Sequence, residues 1–482
     1  MKEPTMRAST SGKAGPTFDA PIRAAVLYTW GDKPGDGQMA AIKACLAPGD
    51  TCQPITPEQL AGGGFDVAFV TSICGYSSFP KIVAAAGVPA LCLEPYRGFH
   101  PYHAAFYREL RALGGTVLPA LLPEDIAASL SAVRCRRALR GMKLLVIESF
   151  GNKIRMDQVH AFSQVCRDRI GIEIVVRDTA ELKERAAACA DSVADAELAR
   201  WYAEVLEGPG EMDQAYVRQN AKLYLAEKAM LDETGAVGIT PQDIGGFLVI
   251  PKQVPMPNIS YAALVFDGYL VCEEGDIEVL TAELLLQAGL GSRPTMSNIY
   301  FGYRDSFSAL SSHEEATDEV ALADCRQCFT DNHITLAHFS ASGVLPPEMM
   351  VESRYRVREA LPSWPGQAMI CATPKLGPVV LARLGEQARD IHLEYGEADG
   401  LGFGDQYGWY RGRWFIRLRD VRAFADCCVH QHYAVAPDSG DHQVLETLLY
   451  TLLRLNPILS DPLQHPPINV RPSLSVNPGE GK

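Results

Sequence analysis

The 482-residue chain lacks a run of about eighteen apolar residues, so no membrane-spanning helix is expected. Met1 to Asp19 has no apolar h-region. It mixes charges with small polar residues and reads as a disordered lead, 1–20, rather than a secretory signal. No Lys/Arg block offsets the formal net charge of -14, which argues against a nucleic-acid partner. The richest basic stretch, Arg134-Cys135-Arg136-Arg137 with Arg140, reads as a solvated helix end. No Gly-x-Gly-x-x-Gly follows a first strand; Gly62-Gly63-Gly64 precedes one and reads as a turn, so no dinucleotide site is expected. No second Cys-x-x-Cys accompanies Cys325-Arg326-Gln327-Cys328, so a zinc knuckle is not expected and both thiols are read as packing on a helix. The 13 cysteines are odd in number, and Cys74, Cys92 and Cys272 lie in apolar runs. That usage suits reduced, buried thiols of a cytoplasmic protein. No helix-turn-helix pattern is evident.

What is present is 47% apolar residues in a chain long enough for two to four domains. Apolar strands at Ile22–Trp30, Phe65–Ile73 and Val88–Leu93 alternate with helices at Gln38–Leu46 and from Pro101 to the Gly114-Gly115 stop. This predicts an N-terminal α/β domain, 21–140, with a parallel sheet covered on both faces. A second α/β domain, 141–302, is expected from strands at Lys143–Glu148, Ile172–Val176, Gly246–Pro251 and Tyr261–Val271. Its helices are placed at Asp157–Arg169, across Asp191–Glu233 with a break at Gly208-Pro209-Gly210, and at Ile277–Leu290. From Tyr303 short β segments predominate: Ile334–Phe339, Gln367–Thr373, Val379–Leu384, Ile391–Tyr395, Trp414–Leu418 and Tyr433–Ala436. They predict a β-rich, barrel-like domain, 303–456, closed by a helix at Gln443–Leu455. A Pro-rich tail, 457–482, follows. The fold class expected is α/β, with two Rossmann-like parallel-sheet domains before the β-rich one.

The segment Val271-Cys272-Glu273-Glu274-Gly275-Asp276-Ile277 carries the clearest chemistry. Three carboxylates fall within four residues, between an apolar run and an apolar helix. Two polar islands, Ala337-His338-Phe339-Ser340 and His430-Gln431-His432-Tyr433, each read as ending an apolar run. Acids at one strand end with two separated histidines suit Mn²⁺, Fe²⁺, Co²⁺ or Zn²⁺. The plainer explanation is equally physical, since acids at a helix N-terminus are favoured by the macrodipole alone.

Several segments in order give the chain a family likeness. They are Ala221–Lys228, Asp243-Ile244-Gly245-Gly246-Phe247, Cys272–Asp276, Ile334–Ser340, Leu376–Leu384, and His432-Tyr433-Ala434-Val435 with Gly440-Asp441-His442. Over roughly residues 20–455 the chain resembles the L-fucose/L-arabinose isomerase superfamily, in its fucose isomerase-like branch. The resemblance implies metal-dependent aldose–ketose isomerisation, with Mn²⁺ or a similar divalent ion polarising the sugar carbonyl and a carboxylate moving a proton between C1 and C2. It implies Asp276 and His432 as metal ligands, Glu274 as a ligand or proton shuttle, and His338 near the substrate. It also implies a homo-oligomer and a sugar or polyol as small-molecule partner; the charge and the hydropathy above lead to the expectation of neither nucleic acid nor membrane.

The chain departs from the family pattern at this presumptive site. The window for the first catalytic acid, Ile244–Val254, holds Lys252 and Gln253 but no acid, leaving Asp243 at its edge. The family's His-Cys is His338-Phe339 here, and a segment that is often acidic reads Arg354-Tyr355-Arg356. Lys252, Arg354 and Arg356 then become candidate substrate contacts. That favours, as an alternative, a diverged metalloenzyme acting on an anionic or non-sugar polyol. A non-catalytic sugar-binding protein is the third reading. Tyr407-Gly408-Trp409-Tyr410 is read as an interface, a sugar platform, or half-packed turn residues.

Overall fold

Runs of unbroken apolar sequence build the parallel layers of this protein. The structure, a computed structural model, describes residues 15–28, 34–70, 79–92, 101–120, 122–207, 214–242, 258–303, 318–337, 344–359, 368–385, 387–402, 413–428 and 430–458. Among them, Arg140–Ser439 form one compact unit, and Phe18–Leu139 with Gly440–Asn456 form the other. The strands of the smaller unit are β1 (Arg23–Leu27), β2 (Thr51–Ile55), β3 (Val67–Val70) and β4 (Ala90–Cys92), all parallel in the order β2-β1-β3-β4. β3 is buried throughout and β1 after its first residue, as a sheet covered on both faces requires. β2 was not anticipated. It is an edge strand that carries Pro54, with Thr51 and Gln53 exposed and only Ile55 buried, so it has no apolar run to find.

The basic stretch does end a helix, Pro123–Leu139, and Arg140 beyond it is exposed, but it is not solvated throughout: Arg134 is buried and paired with Asp50, and Arg137 pairs with Asp66. Asp50 also accepts the N–H of Ile22 and Ala47, and Asp66 that of Arg23, so two arginines one turn apart fix the chain where β1, β2 and β3 begin. The C-terminal helix is α-helical over His442–Glu446 and widens to π-type over Thr447–Leu452. It belongs to this smaller unit, whereas the sequence pattern attached it to the β-rich region.

The larger unit opens with β5 (Lys143–Glu148), β6 (Glu173–Asp178), β7 (Leu206–Glu207), β8 (Ala236–Pro241) and β9 (Leu270–Val271). Four of them form a parallel sheet in the order β6-β5-β8-β9. Tyr261–Val271, expected as one strand, is instead the end of a helix, Asn258–Phe266, followed by the two residues of β9. Every residue of that helix up to Val265 is buried, so no polar face marks a 3.6-residue period, and a short apolar run reads equally as strand. The strand placed at Gly246–Pro251 lies outside the described residues.

Next come β10 (Thr295–Tyr300), β11 (His333–Ala337), β12 (Tyr355–Glu359), β13 (Ala368–Cys371), β14 (Gly377–Leu384), β15 (Asp390–Gly402), β16 (Arg413–Leu418) and β17 (His432–Pro437). Six of them close an antiparallel barrel in the order β14-β17-β10-β11-β16-β15 and back to β14. Closure depends on β15, which pairs β14 through Ile391–Ala398 and β16 through Gly396–Gly402. At the crossover a Cβ on Gly396 would stand 2.6 Å from Ile416, so glycine lets the strands approach there. β10 precedes Tyr303, so the antiparallel layer begins earlier than the periodicity suggested. β12 and β13 leave the barrel to form a small sheet with β7.

The helix Ile277–Leu290 has the expected bounds and is buried at every residue except Glu278. It packs against β8 and β9 as well as the barrel strands β10, β14 and β17, which is why it is apolar all round. Gly291, with φ 74°, ends it in the left-handed conformation. Cys325 and Cys328 sit on the helix Asp318–Thr330, where Cys328 is buried and its thiol donates to the His333 carbonyl. No described helix is long and apolar enough to cross a membrane.

Candidate metal centre

The acidic segment makes its turn by hydrogen bonds that continue the parallel ladder. Cys272 N–H donates to the Ile239 carbonyl at 3.1 Å and Gly275 N–H to that of Pro241 at 2.9 Å. Between them the chain adopts two left-handed residues, Glu274 (φ 62°) and Gly275 (φ 71°). Glycine suits the left-handed conformation at 275, and an added Cβ there would also displace the end of the Gln242 side chain, 2.2 Å away at Oε1. Glu274 has no such licence, and for an L-residue this conformation costs about 1–2 kcal/mol. Asp276 then caps the helix, its Oδ1 accepting the Val279 N–H at 3.1 Å.

The end of β14 and the start of β17 face this turn. The two strands are antiparallel neighbours, with Ala382 opposite Ala434, so Arg383 and His432 arrive together. His432 Nδ1 is 3.0 Å from Asp276 Oδ2, and Arg383 Nη1 donates to the same oxygen at 2.7 Å and to the His432 carbonyl at 3.0 Å. The other ring nitrogen, His432 Nε2, is 3.3 Å from Glu274 Oε2. His430 Nδ1 accepts the His432 N–H at 3.2 Å and lies 3.9 Å from Asp276 Oδ2. From the parallel layer, Arg155 donates through Nε to Glu148 Oε2 at 3.3 Å and through Nη2 to the Gly275 carbonyl. Arg155, Glu274, Asp276, Arg383, His430 and His432 line a pocket of about 540 Å³, joined by Glu278 and the glutamines 158, 242, 387 and 431. The pocket opens beyond the carboxyl ends of β5, β8 and β9, the position where open parallel sheets bind ligands.

The local field favours metal-ready protonation states. Burial pushes the Asp276 carboxyl up, but the His432 hydrogen bond and the Arg383 charge outweigh it and hold the group well below the usual carboxylate range. Burial, followed by the charge of Arg383, lowers His430 to about 4, so its imidazole is neutral at pH 7. Burial and the Asp276 charge raise the Glu278 carboxyl to about 7. A metal ion needs ionised carboxylate and neutral imidazole, and Asp276 and His430 are held in those forms.

Asp276, His430 and His432 each offer a ligand atom, all within 4.8 Å of one another. Two ligands at about 2.1 Å from one ion stand no more than about 4.2 Å apart, so the set is slightly open. His430, 44% exposed at its side chain, is the outermost of the three, with Nδ1 3.9 Å from Asp276 Oδ2. One carboxylate with two imidazoles suits Mn²⁺, Fe²⁺, Co²⁺ and Zn²⁺ alike. The donor set therefore fits a divalent ion, with Arg383 as a second cation on the same carboxylate.

Of the residues singled out in the sequence, the structure brings together Asp276, His432 and Glu274. Arg354 is elsewhere, its Nη1 on the carbonyls of Tyr202 and Ala203, and Arg356 pairs with Glu207 and Glu352. Neither lines the pocket. Asp243, Lys252 and His338 lie outside the described residues, as do Tyr407–Tyr410. The His430–Tyr433 island opens β17 instead of ending an apolar run.

Four participants were missed: His430, Arg383, Arg155 and Glu278. Two had a signal. Arg383 is a lone charge in the apolar run Val379–Leu384, and a buried charge demands a buried partner. His430 and His432 are two apart, the spacing that puts both on one face of an extended chain. No protein-family model matches this sequence, and no curated protein matches it either.

Proposed function

We propose that this protein is a metal-dependent isomerase that moves a carbonyl between C1 and C2 of a polyhydroxylated aldehyde or ketone. On this reading its parallel sheets are the Rossmann-like lobes of a diverged fucose isomerase-like enzyme. The observation that carries the proposal is the convergence of Asp276, His430 and His432 on one pocket, with Glu274 3.3 Å from His432.

Asp276, His430 and His432 would hold the ion, with Mn²⁺ the first candidate. When bound, such an ion supplies electrophilic polarisation of the substrate carbonyl and neutralises the charge of an enediolate. Glu274 Oε2 takes the proton from C2 of the aldose and returns it to C1, as a general base and then a general acid, while the O2 hydroxyl proton passes to O1, so that the carbonyl moves from C1 to C2. His432 Nε2, facing that oxygen, positions the carboxylate. Arg383 fixes Asp276 and the His432 carbonyl together, so the ligands stay aligned through the reaction. The glutamine side chains offer both donors and acceptors for substrate hydroxyls.

The direct experiment is elemental analysis of the purified protein, followed by ketose formation from a panel of aldoses with Mn²⁺, Co²⁺, Mg²⁺ or chelator. Ion-dependent ketose formation that disappears in Asp276→Asn supports the reading. A protein that takes up no ion and converts no aldose defeats it, and leaves a sugar-binding protein whose Asp276 is neutralised by Arg383 alone.

A further inference from the structure

We propose that the substrate of this pocket carries an oxyanion, either a carboxylate or a phosphate ester, held by Arg155 and Arg383; the substrate class named here rests on the isomerase reading above. Both guanidinium groups line the pocket. Each is anchored along part of its edge by an acid. Arg155 uses Nε on Glu148, whose side chain is fully buried, and Nη2 on the Gly275 carbonyl. Arg383 uses Nη1 alone, for both Asp276 and the His432 carbonyl.

That leaves donors unspent. Among the described residues, Arg155 Nη1 and Arg383 Nε and Nη2 make no hydrogen bond. The Arg383 side chain is only 7% exposed, so the pocket is the open space where those N–H groups can find an acceptor. These donors open onto the pocket, and a planar fork fits a carboxylate or phosphate better than a hydroxyl. Neutral hydroxyls need no such pair, because four glutamines already line the same wall. The anchoring acids do not compete with a ligand for the free edges. Glu148 is turned onto Arg155 and the Ser149 N–H, and Asp276 onto Arg383, His432 and the helix N-terminus. A polyhydroxy substrate with one terminal oxyanion therefore satisfies glutamines and arginines together.

The test uses the full chain loaded with Mn²⁺ and three matched probes: a hexose, its hexuronate and its 6-phosphate. Calorimetric affinity is measured first and turnover second. One anionic probe should bind at least about tenfold tighter than the hexose, the scale of one charge-assisted pair. That ratio should shrink with added salt. Whichever of hexuronate and 6-phosphate gains more identifies the source of the oxyanion. Arg155→Gln and Arg383→Lys should each pull the ratio toward one. Arg155 is partly exposed, so its variant provides the comparison if the Arg383 variant misfolds. Equal or tighter binding of the hexose overturns the proposal, as does a ratio unchanged by Arg155→Gln. Anion-selective binding without isomerisation of any probe retains the anion subsite and removes the isomerase reading. Isomerisation of the neutral hexose with no anion preference does the reverse.

Discussion

Arg383 and Asp276 meet through a 2.7 Å charge-assisted hydrogen bond, with both side chains only 7% exposed. The pair joins a barrel strand to the first turn of the helix Ile277–Leu290. Asp276 also carries the helix cap, so its carboxylate has structural duties besides any ligand role. Asp276→Ala leaves the Arg383 charge uncompensated, a loss of about 3–5 kcal/mol, and removes a cap worth about 1 kcal/mol. Asp276→Asn keeps an oxygen for the Val279 N–H and should lose less. Urea unfolding of both variants checks the order; equal stabilities would mean that the cap oxygen contributes nothing, since both variants leave Arg383 without its carboxylate.

Metal binding should stabilise the fold. An ion that binds only the native state at about 100 times its Kd adds about 2.7 kcal/mol. Mn²⁺, Co²⁺ or Zn²⁺ should therefore raise Tm, and chelator should reverse the rise. His432→Ala should abolish the response. His430→Ala should only weaken it, because the 44% exposed His430 is held less tightly than His432. A Tm indifferent to all three ions in the wild type would exclude the ligand set.

The sequence marked part of the candidate site and the α/β-then-β order of the layers around it. Glu274, Asp276 and His432 were legible because clustered acids and a histidine interrupt apolar runs. The bounds of Ile277–Leu290 were legible from Asp276 at one end and Gly291 at the other. The helix Asn258–Phe266 was not, since burial on every side erases its period. β2 was not, since an exposed edge erases its apolar run. Arg354 and Arg356 were weighed as substrate contacts from charge alone, and charge alone does not tell a pocket from a sheet paired with Glu207. Arg155, which does reach the pocket, sits in an ordinary polar helix start that nothing in its neighbours distinguishes.

Backbone strain at Glu274 should be separable from its chemistry. Glu274→Ala removes the carboxylate and keeps a Cβ at φ 62°. Glu274→Gly removes both. Since the left-handed conformation costs an L-residue about 1–2 kcal/mol, the glycine variant should be more stable than the alanine variant by about 1 kcal/mol. Both should lack isomerase activity if Glu274 moves the proton. Glycine and alanine variants of equal stability would show that the turn stores no strain, and an active glycine variant would move the proton shuttle elsewhere.

A pH dependence of stability should come from His392, away from the candidate ligands. It lies on β15, fully buried, with its ring stacked on Phe424 and its Nδ1 2.6 Å from the Tyr433 hydroxyl. Burial lowers its pKa from 6.5 to about 4, so the folded protein holds the ring neutral beside the Tyr433 hydroxyl. The unfolded chain takes up the proton first as pH falls. The stabilisation is therefore present in full above pH 6.5 and is lost as pH drops toward 4. By about pH 4.5 the loss should reach about 2–3 kcal/mol. Urea unfolding of wild type and His392→Gln at about pH 7.5 and about pH 4.5 isolates this share, because carboxylates titrate in both proteins. The wild type should lose about 2–3 kcal/mol more than the variant between the two pH values. Identical losses would mean that His392 keeps an ordinary pKa in the folded protein, and that its ring is solvated or paired with an acid.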